Sequence, residues 1–505
     1  MPHMNKFTRY IAPGVLVLSL MLVYIISMAP GLTWANSGSD GGDLITAAAI
    51  GGVAHPTGYP VYLLLARLFQ LLPIGSLAFR TNLMSALATV IVALLVYDLV
   101  IHFLSPANGN RNLGAGLAAA YAFGLSPLIW SQAVITEVYA LQALFVILIL
   151  YLSSDISLLY FPQKQLDRLM GLTFGLAMGN HITTILLLPV FLSPIFFRNQ
   201  LTVTGEIEKR QPGLSSLMRR LKWLGMGLLV YFVLPLRAIS QPPVNWGNPV
   251  TLGGFGWLVS GKLYQDQLFV LTLSSVWSRV QAVAALLIGQ FGVPGLTVGL
   301  FGLIVFYRSS HLYRNTIWTF FAYFTFSIVY ATDDSFMYLI PAFLCFAIWI
   351  GLGMEGLMHI PVQRFRKIGV AVCILFILYL FVLAGIHWHQ VDASKDLRAE
   401  RFGEEVLVRA PANAIVFAKG DKAIFTMWYF HYALQRRPDL AVVVTDLLPF
   451  DWYQETLHTY YPNLELPGPF PFAETMVEAN PERPVCYVEY NKLTDIHCLP
   501  AKVAP

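Results

Sequence analysis

Two aspartates three residues apart, Asp40 and Asp43, stand in the glycine-bracketed stretch Ser37-Gly38-Ser39-Asp40-Gly41-Gly42-Asp43. His55 follows in Val53-Ala54-His55-Pro56-Thr57-Gly58-Tyr59-Pro60. Residues three apart on a turn or opening helix face one site, and glycines let a backbone come close to a ligand. A carboxylate within hydrogen-bond reach of an acceptor hydroxyl can take its proton. The bland alternative is that one of the aspartates only caps a helix over Leu44 to Ile50. His55 is either a phosphate or sugar ligand or a plain turn histidine.

Further polar residues sit where apolar runs begin or break. Arg80, with Asn82, opens an apolar run and either snorkels at a helix end or grips a phosphate through its forked guanidinium. Glu137, in Trp130-Ser131-Gln132-Ala133-Val134-Ile135-Thr136-Glu137-Val138-Tyr139, is an ionisable group near membrane depth. Such a group is costly unless paired or hydrated; the alternative is an exposed interfacial acid. Asn180 and His181 interrupt an apolar region, where freed backbone groups need a protein-lined or wet cavity. Asn245-Trp246-Gly247 and Tyr264 offer aromatics that stack on a sugar or simply form an interfacial belt, and the belt is favoured. Tyr59 and Asp334, of the pair Asp333-Asp334, are weaker candidates for acceptor or sugar contact.

The elements that must position these residues are membrane helices. Of 505 residues, 56% are hydrophobic and 12% charged, whereas soluble domains carry about 25% charged residues. A formal charge of +4 is too small to suggest a nucleic-acid partner. Apolar runs of spanning length lie near 11–28, 83–104, 113–129, 138–157, 223–239, 281–307, 315–331, 338–357 and 368–387. The longer region 169–197 is read as two short helices broken at Gly179-Asn180-His181. This yields about eleven spans with the N-terminus cytoplasmic. Before residue 388 it places 16 Lys and Arg on the inner side (Lys6, Arg9, Arg111, Lys164, Arg168, Arg198, Lys209, Arg210, Arg219, Arg220, Lys222, Arg308, Arg314, Arg364, Arg366, Lys367) and 5 outside (Arg67, Arg80, Arg237, Lys262, Arg279), as the positive-inside rule requires. The 11–28 run is read as a retained helix rather than a signal peptide, being long and lacking a clean small-residue cleavage site.

Residues 388–505 hold 27 of the 60 charged side chains. This segment is expected to be a small extracytoplasmic α/β domain, following a membrane domain at 1–387. Its expected strands are Ala414–Ala418, Ala441–Val444 and Val485–Val488, with a helix near Phe425 to Leu434 and a proline-rich loop from Pro462 to Pro471. Cys345 and Cys373 lie in apolar runs and read as buried hydrophobes. Cys486 and Cys498 are candidates for pairing outside the membrane. Phosphate-loop, HExxH, CxxC and serine-elbow motifs are missing from the sequence, which argues against cytoplasmic nucleotide chemistry and for a donor delivered within the membrane.

The blocks Gly38-Ser39-Asp40-Gly41-Gly42-Asp43-Leu44-Ile45-Thr46-Ala47-Ala48, Gly52 to Pro60 and Arg80-Thr81-Asn82-Leu83 resemble a membrane family long known only as a domain of unknown function. That family is grouped with the protein O-mannosyltransferases that modify IPT domains. Glu137-Val138-Tyr139, Asn180-His181 and Asn245-Trp246-Gly247 fit it too. The resemblance covers roughly residues 10 to 250 well and the rest loosely. It implies a GT-C class glycosyltransferase fed by a polyprenyl-phosphate sugar, probed by an acceptor on a protein or glycan, with no cofactor required. Asp40 would be the base and Asp43, where the family often has Glu, would orient the acceptor. His55, Arg80, Glu137, Asn180 and His181 would serve the donor. The expected location is the plasma membrane with the active face outward. Two other classes remain open: a transporter or flippase, which charges buried mid-span would favour, and a non-catalytic membrane assembly protein.

Overall fold

The structure is a computed structural model and describes residues 10–103, 113–196, 200–201, 207–208, 213–305, 311–358, 363–468 and 473–502. Lys6, Arg9, Arg111, Arg198, Lys209, Arg210 and Arg308 of the charge count, and Pro471 of the expected loop, lie outside the described residues.

The N-terminal three quarters are helical. In order come α1 (Ala12–Ser27), α2 (Gly41–Ile50), α3 (Pro60–Gln70), α4 (Leu77–Phe103), α5 (Leu113–Gly124), α6 (Pro127–Ala133), α7 (Tyr139–Ser153), α8 (Gln163–Met178) and α9 (Leu188–Phe196). After a two-residue ladder of β1 (Gln200–Leu201) and β2 (Ile207–Glu208) follow α10 (Leu214–Leu228), α11 (Val233–Ala238), α12 (Leu252–Val259), α13 (Leu273–Val305), α14 (His311–Val329), α15 (Ile340–Met358) and α16 (Gln363–Val391). Helices apolar on all sides are stable only against lipid or one another. Among the described residues five helical stretches are long and apolar enough to cross a membrane: Leu77–Phe103, Leu214–Ala238, Leu273–Val305, Ser335–Met358 and Gly369–Val391. The pair α5 and α6, bent by 67° at Pro127, makes a sixth if it counts as one span. The apolar windows of Leu77–Phe103 and Ser335–Met358 are 72% and 89% buried, against 28% for Leu273–Val305 and Gly369–Val391, so α4 and α15 form the centre of the bundle.

Local chemistry explains the breaks. Pro127 starts α6, where a missing N–H costs nothing, and Gln290 Oε1 accepts from Ser126 Oγ at 2.5 Å and Leu128 N at 2.8 Å. The interruption at Gly179–His181 separates α8 from a 3-10 turn, Ile182–Leu187. The stretch after α1, rich in polar residues, is no open loop: α2 and α3 fold back into the bundle, with Gly41–Ala48 buried.

Beyond α16 the chain forms an α/β unit: α17 (Arg398–Arg409), β3 (Ile415–Lys419), α18 (Asp421–Trp428), β4 (Ala441–Val444), α19 (Asp451–Tyr460), α20 (Ala473–Ala479), β5 (Val485–Asn491) and β6 (Leu493–Leu499). The sheet order is β4-β3-β5-β6, with β3 parallel to both neighbours and β5 antiparallel to β6. Cys486 and Cys498 face each other across the β5–β6 hairpin and are joined by a disulfide. The strand β6 carries no apolar alternation in its sequence, because Leu493 and Leu499 stand on its exposed side opposite the buried Ile496.

This unit sits directly on the bundle. A methyl group on Gly42 would lie 2.4 Å from the carbonyl oxygen of Phe425, so α2 and α18 touch backbone to side of backbone. Nearby, Leu32 N donates to Glu400 Oε1 at 2.9 Å, while Thr33 Oγ1 and Trp34 N donate to Asp396 Oδ2 at 2.6 and 3.0 Å.

Candidate active site

Asp40 stands at the N-cap of α2, yet its carboxylate makes no capping bond, and Ser39 Oγ donates to it at 3.3 Å. About a third of its side chain, 34%, is open. It opens onto a cavity of about 1050 Å³ between the bundle and the C-terminal unit. The head of a helix favours anions, which suits both Asp40 and Asp43 in the first turn.

Asp43 points the other way and is fully buried. Its Oδ2 accepts from the His55 backbone N–H at 2.9 Å and meets His55 Nδ1 at 2.6 Å, and its Oδ1 accepts from Trp246 Nε1 at 3.2 Å. Beside an accepting carboxylate, Nδ1 carries the ring proton. The other nitrogen, Nε2, stands 3.5 Å from Asp40 Oδ2. The three side chains thus form a line, Asp43, His55, Asp40, of which only the last opens broadly to the cavity.

Burial pushes the Asp40 carboxyl up; His55 pulls it back down, while Asp421, Asp334 and Asp43 add to the rise, leaving it at about 6. For His55 burial acts downward, but Asp40 and Asp43 outweigh it and raise the imidazole to about 9. At neutral pH the line therefore holds an imidazolium beside an ionised Asp40. Burial also raises Asp421, with His55 opposing.

The rest of the cavity wall is assembled from distant segments. His181 lies among Tyr59, Tyr139 and Tyr338, with ring centroids 6.1, 6.0 and 5.6 Å away. Thr183 N donates to its Nδ1 at 3.3 Å, so the proton sits on Nε2 and the ring is a donor. Glu137 and Asp334 line the same cavity, and Tyr139 OH donates to Asp334 Oδ2 at 3.2 Å. Tyr264 and Trp246 line it too. Trp246 is no interfacial belt residue: it is buried and packs within 6.5 Å of Phe425, Trp428 and Trp452. From the C-terminal unit come Asp421, Lys422, Phe425 and Asp446, at the carboxyl ends of β3 and β4, where parallel sheets carry their ligand-binding loops.

Of the residues singled out by sequence, Asp40, His55, Tyr59, Glu137, His181, Trp246, Tyr264 and Asp334 line one cavity. Asp43, Arg80, Asn180 and Asn245 do not. Arg80 folds back on the end of α3, giving Nε to Ile74 O at 2.6 Å, Nη1 to Gln70 O at 2.6 Å and Nη2 to Gly75 O at 3.0 Å. Asn180 is buried, its Nδ2 3.4 Å from Val138 O and from Gln142 Oε1. Asn245 Nδ2 donates to Asn248 Oδ1 at 3.3 Å, and its backbone bridges to Val53. Lys422 went unremarked in the sequence although it follows Asp421 directly after an expected strand; it is the one Lys or Arg among the described residues lining the cavity. Its Nζ lies 5.9 Å from the Trp34 ring and 5.7 Å from that of Tyr490.

A helical membrane bundle with a small α/β unit closing over a helix-head carboxylate has counterparts among solved structures. The fold resembles ArnT from Cupriavidus metallidurans bound to undecaprenyl phosphate, with a TM-score of 0.54 at 12% identity over 97% of this chain and 94% of that one. It also resembles the archaeal oligosaccharyltransferase AglB from Archaeoglobus fulgidus in complex with an inhibitory peptide and a dolichol-phosphate, with a TM-score of 0.51 at 14% identity over 96% and 70% of the two chains. Residues 40–204 match the protein O-mannosyl-transferase TMEM260 N-terminal domain, and residues 399–473 match TMEM260-associated domain 2. The chain is 27% identical over 459 residues to protein O-mannosyl-transferase TMEM260 of Mus musculus, covering 85% of this chain and 62% of that protein. It is 23% identical over 510 residues to protein O-mannosyl-transferase tmem260 of Dictyostelium discoideum, covering 90% and 59%. In sequence the chain is similar to proteins named protein O-mannosyl-transferase and in fold to these two solved structures, and it spans less than two thirds of the length of the two relatives.

Proposed function

We propose that this chain is a glycosyltransferase that moves a hexose, mannose by its relatives' names, from a polyprenyl-phosphate carrier to a hydroxyl of a protein or glycan. In this reading Asp40 takes the proton of the acceptor hydroxyl as that oxygen attacks the anomeric carbon. The bond from that carbon to the phosphate oxygen breaks, and the lipid phosphate leaves with the electron pair. The products are the inverted glycoside, the lipid phosphate and a protonated Asp40. His181, through Nε2–H, and Lys422 are the donors along the wall suited to the growing phosphate charge. The tyrosines around His181 and Asp334 supply sugar-hydroxyl partners. The cavity faces outward across about eleven spans, with the N-terminus cytoplasmic, the C-terminal unit extracytoplasmic and the plasma membrane as the site of action.

The observation that carries this reading is the placement of Asp40: a carboxylate at a helix head, unspent as a cap, open on a cavity shared by bundle and C-terminal unit. The test is transfer from polyprenyl-phosphate [3H]mannose in membranes carrying wild type or Asp40→Asn. Loss of a positioned base lowers such rates by about 10²- to 10⁴-fold. Equal transfer by the two, with equal expression, would remove Asp40 from the chemistry.

A further inference from the structure

We infer that His55 is a positioning residue: clamped on Asp43, it serves as the fixed cation that keeps the carboxylate of Asp40 ionised and aimed at the acceptor, and does not bind the donor phosphate. This rests on the reading of Asp40 as base given above.

Both ring nitrogens of His55 are spoken for. Nδ1 is 2.6 Å from Asp43 Oδ2 and Nε2 is 3.5 Å from Asp40 Oδ2. The same Asp43 oxygen also accepts from the His55 backbone N–H at 2.9 Å, so ring and main chain are held by one carboxylate. Asp43 is in turn fixed from the far side by Trp246 Nε1 at 3.2 Å. Aromatic rings close the remaining faces: Phe425 stacks at 6.2 Å between centroids, and Tyr59 meets the edge at 5.1 Å. A ring held this way cannot swing to a ligand without abandoning a buried carboxylate, which would be left unpaired.

The charges around it set its state. Asp40 and Asp43 face it from the head of α2, Asp421 acts on it from the C-terminal unit, and His181, a neutral donor, is the other histidine lining the cavity. Three carboxylates outweigh burial, so the imidazolium persists well above neutrality. Asp40, by contrast, is pressed toward protonation by burial and then by Asp421, Asp334 and Asp43, and His55 opposes them. Without His55 that opposing charge is gone, and Asp40 shifts toward its protonated form, which cannot accept another proton.

The experiment compares wild type with His55→Gln in kinetics across pH 5 to 9.5 and in thermal unfolding across the same range. Wild-type kcat should fall as pH drops through about 6. In the variant this acid limb should move up by a pH unit or more, with kcat at pH 7 falling about twofold or more and recovering at high pH, and KM for polyprenyl-phosphate mannose unchanged. An unmoved limb, or a raised donor KM at unchanged kcat, would overturn the inference. Unfolding gives an answer independent of the substrate. A raised imidazole stabilises fully below its ordinary value of about 6.5, and that stability is lost as pH rises through about 9. Wild type should show this loss and His55→Gln should not; identical curves would overturn the clamp even if the transferase reading held. No transfer by wild type, with the unfolding difference present, would instead refute the transferase reading and leave the ion pair standing.

Discussion

Replacing Gly42 with alanine tests whether the C-terminal unit is part of the active site. A methyl group there would meet Phe425 O at 2.4 Å, Phe425 C at 2.6 Å and Phe425 Cβ at 2.9 Å. Ordinary contact begins at 3.4 Å, so α18 must retreat from α2 by 3.4 − 2.4 = 1.0 Å. The obstacle is mainly backbone, which cannot swing aside as a flexible side chain does. The retreat carries Phe425 off the His55 ring and shifts Asp421 and Lys422 relative to Asp40. Overpacking of this kind costs about 1–3 kcal/mol, and displacement of about 1 Å at a reacting centre can lower the rate by about 10²-fold. The assay is transfer from polyprenyl-phosphate mannose alongside thermal unfolding in detergent. Gly14→Ala and Gly225→Ala are the controls, since a methyl group at either position meets nothing within 4 Å. Gly42→Ala should lose most of kcat while the controls keep it. A Gly42→Ala protein with unchanged kcat and unchanged unfolding would show that the C-terminal unit does not bear on the chemistry.

Other substitutions separate anchoring from ligand binding. Arg80→Ala removes one bond to the end of α3 and two to the turn beyond it and should lower the unfolding temperature, each bond being worth about 1 kcal/mol, with donor KM unchanged; a tenfold rise in KM without loss of stability would return Arg80 to the donor. Trp246→Phe takes the indole donor from buried Asp43 and should cost about 1.5–3 kcal/mol, as hydrogen bonds to charged groups do, in denaturant or thermal unfolding; an unchanged midpoint would show that His55 alone satisfies Asp43. Asp396 is raised by burial but lowered more by bonds from Arg398 and Thr33, ending at about 2. Its contribution is therefore present above the ordinary carboxylate value of about 3.9 and lost as pH falls toward 2. Asp396→Asn should flatten that part of the stability curve, and an unaltered slope would place the acid sensitivity elsewhere.

Much of the membrane half was legible because lipid demands long apolar runs and leaves composition little freedom. The runs near 83–104, 281–307, 338–357 and 368–387 overlap the helical stretches Leu77–Phe103, Leu273–Val305, Ser335–Met358 and Gly369–Val391. The break at Gly179–His181 and the strands over 415–419 and 441–444 also carried local signatures. What local pattern missed was β6, where Leu493 and Leu499 stand on the exposed side, so residue type does not alternate with burial.

The sequence by itself determined that this is a helical membrane protein with a charged α/β end, and it marked Asp40 by the glycines and helix start around it. Only the tertiary structure decided what its neighbours do. Asp40 and Asp43 share a helix head and both reach His55, but they differ in role because Asp40 opens on the cavity while Asp43 is sealed beneath His55 and Trp246. The indole that fixes Asp43 comes from 203 residues away, and Asp421 and Lys422 arrive from the far end of the chain. Arg80 has the same residue type whether it binds a phosphate or three carbonyls. Hydrogen-bond direction and burial depend on packing between distant segments, which residue type and spacing do not encode.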